Sequence, residues 1–427
     1  MKEWNEFSEI KNAKGVWLTD SKGNKMMDAV ASMWCNVWGH SNPELVKAIN
    51  NQSKKLQHSS LFNLTNEPVE RLAKNLGSIS PGMFKVFFSD NGSSAMEIAI
   101  KLALQYWKNI GNKSKNKIAT VENGYHGDTF GAMSVGYVPE FFGKFRKQLF
   151  STIQFPVPNK YRLPKKINLS EFQEQCLEKI ETRFAKDEDI AAFVMESGAQ
   201  MAGGVIIYPK GFQRRISKLC KKYNILFVLD EIATGFGRLG SMTQYEEQKS
   251  IPDIVAYGKM LTGGYLTMAA TLANKKVYDS FLGEFNDWRH LFHGHTYTGN
   301  PMAAAVANEN LKMYKKYSLI EKIQKTSKVF ERFYEEILDI DIVGDIRHKG
   351  MLMGIELVTD KKKKTPIHPK KSINKIFFEE GKKHGIYFRT LGNIVMLVPP
   401  LSITEKELET LLSKTINTIN GAKSRLT

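Results

Sequence analysis

The stretch KKYNILFVLDEIATGFGRLG, Lys221 to Gly240, decides how this chain folds. An unbroken apolar run from Ile225 to Leu229 stops at two carboxylates, Asp230 and Glu231. A strand covered by helices on both faces reads this way, because it has no polar side to alternate with, and the charge that ends it stands on the rim of the sheet. A second run, Ile254 to Tyr257, stops at Gly258 and Lys259 before a turn holding Thr262, Gly263 and Gly264. Two strand ends thus present an acid and an amine. Taken alone, the pair reads as an ordinary ion pair at a strand rim, so its meaning depends on its surroundings.

Upstream, AAFVMES (Ala191 to Ser197) is another buried-strand pattern, ending in Glu196, and the helix GFQRRISKLCKKY leads from it into the opening stretch. KVFFSDNGSSAMEIAIKLALQYW (Lys85 to Trp107) is a short strand, a turn through Asn91, Gly92, Ser93 and Ser94, and a long helix from about Ala95. Small polar residues before a helix either cap it, here through Ser93 or Ser94, or leave its free N–H groups and positive dipole end to hold a phosphate. KIATVENGYHGDTFGAMSVG (Lys117 to Gly136) is a strand followed by a loop crowding Tyr125, His126, Gly127, Asp128 and Thr129 together. Strand and helix alternate from Lys85 to about Ala273, which predicts an α/β domain with a mostly parallel sheet and helices on both faces. Ligands of such sheets lie outside the carboxyl ends of the strands, where Ser89-Asp90, Glu196, Asp230 and Lys259 fall. Neither a Gly-x-x-x-x-Gly-Lys-Ser loop nor an early GxGxxG is present, which argues against nucleoside triphosphates and dinucleotides.

The flanks differ in texture. Trp17 to Asp28 alternates apolar and polar residues around a Ser-Lys-Gly-Asn turn, a hairpin pattern. Trp34 and Trp38 follow in an aromatic loop, as core filler or as a pocket wall, and Asn42-Pro43 opens a helix. After the polar loop HGHTYTGN and a long helix capped by Asn300-Pro301, shorter strands and helices close the chain. The expected division is an N-terminal part of a small α+β domain (1–44), a large domain (45–310), and the rest of the small domain (311–427).

Composition supports a folded globular protein: 42% of residues are hydrophobic and 25% charged. No apolar run approaches the length of a membrane span, and the N-terminus has no apolar signal core, so a cytoplasmic protein with no membrane partner is expected. The net charge of +17 raises nucleic-acid binding as a possibility. Its lysines are scattered, however, and the one dense run, Lys361 to Lys364, reads as a solvated loop, so no nucleic-acid partner is expected. Cys35, Cys176 and Cys220 are too dispersed for a zinc site or a disulfide framework, and no metal is expected.

An acid that keeps a pyridine nitrogen protonated, and a lysine amine that condenses with an aldehyde, are the two protein groups that pyridoxal 5'-phosphate requires. Together with ASMWCNVWGH, SDNGSSAMEIAIKLALQYW, NGYHGDTFGAMSVG, LDEIATGFGRLG, GKMLTGGYLTMAATL and HGHTYTGNP, they make the chain resemble the class III, fold type I aminotransferases from about Val16 to its C-terminus. Within that family the combination is most similar to the branch that aminates 8-amino-7-oxononanoate to 7,8-diaminononanoate in biotin biosynthesis. S-adenosylmethionine is the usual donor there, and lysine serves some relatives.

The resemblance implies roles. Lys259 would bind the cofactor covalently and shuttle protons, Asp230 would pair with the ring nitrogen, and Tyr125 would stack on the ring. Glu196 would sit by the cofactor's hydroxyl, Gly92 and Ser93 would hold its phosphate, and Thr296 would reach the phosphate of the neighbouring subunit of a homodimer. Arg389 would grip the keto acid's carboxylate, a task suited to a planar guanidinium. Trp34, Asp128 and Gly294 would line the substrate slot, and Arg238 would either join them or support its loop. The chain departs from the family's usual pattern in its short N-terminus, which offers only Trp4 and Phe7, in Met33 in place of a second aromatic residue, and in His295 where many members have Pro. A relative acting on 4-aminobutyrate or ornithine would keep the cofactor residues and change the pocket, and is the rival reading.

Overall fold

A computed structural model describes residues 7–426; Trp4 lies outside them. Seven strands form the main sheet, in the spatial order Lys85–Ser89, Ala269–Ala273, Ile254–Tyr257, Leu226–Asp230, Ile190–Glu196, Lys117–Val121 and Ile153–Phe155. Every residue of the Ile190–Glu196 and Leu226–Asp230 strands is buried, as their unbroken apolar runs demand. The sheet is parallel except for Ala269–Ala273, which runs against both neighbours. The loop from Gly258 to Met268 is too short for a crossover helix, so the chain has to turn back beside the strand it left. Because that strand is reversed between two others, Ser89, Glu196, Asp230 and Tyr257 all end on one rim.

The helix behind the Lys85 strand spans Gly92–Asn109, three residues earlier than the expected start. Its N-cap is neither Ser93 nor Ser94 but Asn91, whose side chain accepts from Ser94 N at 3.0 Å. Gly92 and Ser93 thereby occupy the first helical positions, where backbone N–H groups have no carbonyl within the helix.

The predicted hairpin forms from Trp17–Asp20 and Lys25–Asp28, with Ile10–Lys14 beside it. Ile386–Tyr387 joins its other edge in parallel. A second antiparallel sheet holds Val343–Lys349, Leu352–Asp360, Ile394–Leu397 and Arg389–Leu391; the Ile373–His384 helix packs on its Arg389–Leu391 strand and in turn carries the Glu405–Leu426 helix. Tyr387 pairs with Asp28 on one sheet and Arg389 begins the next. That junction brings the chain after Asp28, including Met33 and Trp34, up to Arg389.

Candidate active site

Asp230 pairs in register with Glu196 on one side and Ala256 on the other, and Lys259 lies three residues beyond Ala256. Acid and amine thus leave adjacent strands. Lys259 has a left-handed φ of 41°, an uncommon conformation for a residue with a side chain. Part of its side chain stays open to the cleft, while its amine lies deep enough that desolvation holds it below the ordinary lysine value. Asp230 and then Glu196 oppose that shift, which puts both acids within electrostatic reach of the amine. The Trp34 ring centroid is 5.5 Å from the amine. The turn bearing Trp34 carries left-handed φ values at Ala31, Ser32 and Trp34. Buried Asp28 holds it by accepting from Val30 N at 3.1 Å and Ser32 N at 2.6 Å.

Asp230 accepts from Ile232 N at 2.8 Å through one oxygen and meets His126 Nδ1 at 2.8 Å through the other. His126 is the residue sequence reading missed. It was visible in the crowded loop, but nothing there indicates a partner 104 positions away. Glu196 accepts from Tyr125 N at 3.2 Å and Met201 N at 2.9 Å, so it anchors the Tyr125 loop. Burial pushes its carboxyl up to about 7. The Tyr125 hydroxyl donates to Asp128 at 3.0 Å, and burial with that neighbouring charge raises its pKa far above the ordinary value. Arg389 lies near enough to oppose the shift. Its guanidinium rests on the Met33 sulfur, beside a cavity of about 730 Å³ lined also by Ser32, Asn374 and Tyr387.

A Cβ on Gly92 would come within 2.8 Å of the Ile232 side chain, and one on Gly258 would stand 3.6 Å from Gly92, so the free helix start abuts the Lys259 turn. Ser93 Oγ accepts from Thr129 N at 3.1 Å and lies 2.9 Å from Thr129 Oγ1, which bonds Glu97. Lys259, Asp230, Glu196, Tyr125, Asp128, Trp34, Arg389, Gly92 and Ser93 are therefore brought together. Gly294 and Thr296 are not: they ride an exposed loop, where the Thr296 carbonyl meets His58 Nε2 at 2.8 Å. Arg238 is wholly buried away from the cleft and donates to the carbonyls of Met351 at 2.9 Å and Pro399 at 2.7 Å, tying its loop to the second sheet.

The residues fit pyridoxal phosphate. A desolvated amine and an acid face one cleft, an anion cradle opens beside them, and the buried Trp34 Nε1 and His126 Nε2 lack protein partners. Among the described residues no group of side chains has the makings of a metal site, and no helix is long and apolar enough to cross a membrane.

Comparison with known proteins agrees. The family described as Aminotransferase class-III matches residues 2–419. An adenosylmethionine-8-amino-7-oxononanoate aminotransferase of Geobacter sulfurreducens is 40% identical over 99% of this chain and 95% of its own. The crystal structure of the enzyme of that name from Methanocaldococcus jannaschii superposes with a TM-score of 0.91 at 40% identity, covering 98% of this chain and 94% of the other. An omega transaminase from Pseudomonas jessenii in complex with PMP reaches 0.93 at 30% identity, covering 98% and 94%. With fold and sequence in accord over nearly its whole length, the chain belongs to the class-III aminotransferases, enzymes that work with pyridoxal phosphate.

Proposed function

We propose that this chain transfers an amino group to 8-amino-7-oxononanoate, giving the 7,8-diamino acid of biotin biosynthesis, with S-adenosylmethionine as donor and lysine as the alternative. The observation that carries the reading is the Lys259 amine, desolvated and set between Asp230, Glu196 and the Trp34 ring. When bound, pyridoxal phosphate supplies an aldehyde that takes up and returns the amino group, and a cationic ring that withdraws electrons from the reacting carbon.

The chain's own groups do the rest. Lys259, favoured in its neutral form by burial, would hold the cofactor through its amine and would serve as the base that moves a proton at the reacting carbon. Asp230, fixed by His126 and Ile232 N, keeps the ring nitrogen protonated. Tyr125, held by its bond to Asp128, would supply an aromatic face for the cofactor ring. Gly92 and Ser93 offer N–H groups to the phosphate. Arg389, a planar guanidinium near Tyr125, suits an acceptor that ends in a carboxylate. Exposed aromatic side chains around Thr296 support a homodimer in which Thr296 and Gly294 complete the neighbouring subunit's site. The protein is assigned to the cytoplasm.

The rival, a 4-aminobutyrate or ornithine aminotransferase, draws support from the equally close fold of an omega transaminase. Holoenzyme given a donor and then 8-amino-7-oxononanoate should recover its original cofactor spectrum, and silence in that step would favour the rival. Separate spectra with S-adenosylmethionine and with lysine assign the donor. Lys259→Ala should lose covalent cofactor and turnover together; retained covalent cofactor would sink the assignment. Arg389→Ala should weaken the keto acid by about 2 to 5 kcal/mol and the donor much less. Equal losses would make Arg389 structural.

A further inference from the structure

The loop bearing Thr296 is tied to the rest of the chain by a row of titratable groups that the reaction does not use. Lys101, on the Gly92–Asn109 helix, donates to the Phe292 carbonyl at 2.8 Å and reaches His293 Nδ1 at 3.2 Å. His293 Nε2 meets His295 Nε2 at 3.0 Å, and His295 Nδ1 lies 3.4 Å from Asp90, two residues before Gly92. Only one proton arrangement satisfies every link. An ammonium can only donate, so His293 Nδ1 accepts and its proton sits on Nε2. That proton is donated to His295 Nε2, which leaves the His295 proton on Nδ1, facing the Asp90 carboxylate. Two hydrogen bonds therefore run one way, from the Lys101 cation through two neutral imidazoles, and the Asp90 carboxylate ends the row as a charge neighbour of His295.

We propose that His293 and His295 are positioning residues: their directed hydrogen bonds hold the turn that carries Thr296, and they open when the His293 ring gains a second proton. The turn is closed by His295 N donating to Thr298 Oγ1 at 3.1 Å and Thr298 N donating to the His295 carbonyl at 3.1 Å, so fixing His295 fixes Thr296 between them. A proton added to His293 would point at the Lys101 ammonium. Every neighbouring element contributes. Lys101 and Glu97 face His293 from the helix with opposite effects, and the Phe87 ring meets it edge-on. Asp90 faces His295, and His58 holds the Thr296 carbonyl through a ring nitrogen that bears a proton in that bond whether or not the ring is charged. Burial, then Lys101 and His295, hold His293 below the ordinary imidazole value. A group with a lowered value contributes fully above its ordinary value, and its contribution is lost as pH falls through that value toward the lowered one.

The proposal rests on the reading of Thr296 as a phosphate ligand, and the test separates the two. Full-length apoprotein is titrated with pyridoxal 5'-phosphate and with pyridoxal at about pH 8 and about pH 5.5, below the ordinary imidazole value. The ratio of the two affinities isolates the phosphate from the chemistry of Lys259. Relative to the His293→Gln/His295→Gln variant, whose amides do not titrate in this range, the wild-type ratio should fall about two- to tenfold further at low pH, the worth of one hydrogen bond. Equal falls in both proteins would overturn the relay. Thr296→Val should lower the ratio already at about pH 8; no change there would remove the phosphate role and the relay with it. If the double variant does not fold, 15N imidazole spectra of the wild type decide: the His293 proton must sit on Nε2 and the His295 proton on Nδ1, and the reverse tautomers are incompatible with the chain.

Discussion

The task proposed for Asp230, keeping a ring nitrogen protonated, is best served by a fixed geometry, and His126 and Ile232 N fix that carboxylate with one bond to each oxygen. Replacing His126 by Leu would leave one buried oxygen without its donor, a loss of about 1.5 to 3 kcal/mol, or about 10- to 150-fold in kcat if it falls on the transition state. His126→Asn, which still offers an N–H, should recover part of it; steady-state rates with cofactor content measured in parallel would separate this from simple unfolding. Glu196 allows a prediction about pH. Its folded value of about 7 lies above the ordinary 4.5, so it contributes most below 4.5 and the contribution is lost as pH rises toward 7. Against Glu196→Gln, which cannot titrate, the wild-type apoprotein should lose roughly 2 to 3 kcal/mol between those limits, read from urea midpoints across the range. At this scale the sequence was legible where one residue breaks a pattern: Asp230, Glu196 and Lys259 each end an apolar run. It was illegible where meaning lies in a pairing, as with His126 and Asp230, or Ser93 with Thr129 and Glu97, because spacing along the chain carries no trace of such a bond.

Elements meet closely where the Tyr125 loop crosses the start of the Gly92–Asn109 helix. Gly127 has φ +122°, and a Cβ there would lie 2.3 Å from Ser93 Oγ and 2.8 Å from Ser93 Cα. Part of the obstruction is backbone, so neither side can yield by changing rotamer. Gly127→Ala should therefore cost about 2 to 4 kcal/mol through strain and overpacking, and should open the anion cradle as well. A lowered melting temperature together with weakened cofactor-phosphate affinity is the expected result; loss of stability with unchanged affinity would mean the helix start holds no phosphate. The strands and helices themselves were readable, since buried runs, Asn-Pro helix starts and the Ser-Lys-Gly-Asn turn are local signals. The helix start was misplaced by three residues because Gly-Ser-Ser resembles a capping loop. Only the structure has Asn91 accepting from Ser94 N.

Across the whole molecule, Arg238 joins the two sheets without a carboxylate partner, so burial lowers its pKa to about 10 while two carbonyls hold it. Its role as a tie rather than a substrate contact was left open by sequence, because the Gly-Phe-Gly-Arg turn could as well have pointed outward. Surface chemistry was still less legible, since an aromatic residue in a loop reads the same whether it is covered or bare. In the folded chain Phe62, Phe285, Trp288, Phe292 and Tyr297 are each more than 60% exposed, and four of them flank or belong to the loop that carries Thr296. An apolar surface of this kind is costly to leave in water and matches the proposed pairing of two chains, each lending Thr296 to the other. Charges placed there should separate the subunits: Phe62→Asp with Trp288→Asp is expected to sediment as a monomer at micromolar concentration. If each site needs its neighbour, the same variant should release pyridoxal phosphate more readily although Lys259, Asp230 and the Gly92–Ser93 cradle are untouched. A monomer that holds the cofactor as tightly as the parent would mean that one chain builds the whole phosphate site, and Thr296 would then have no part in it.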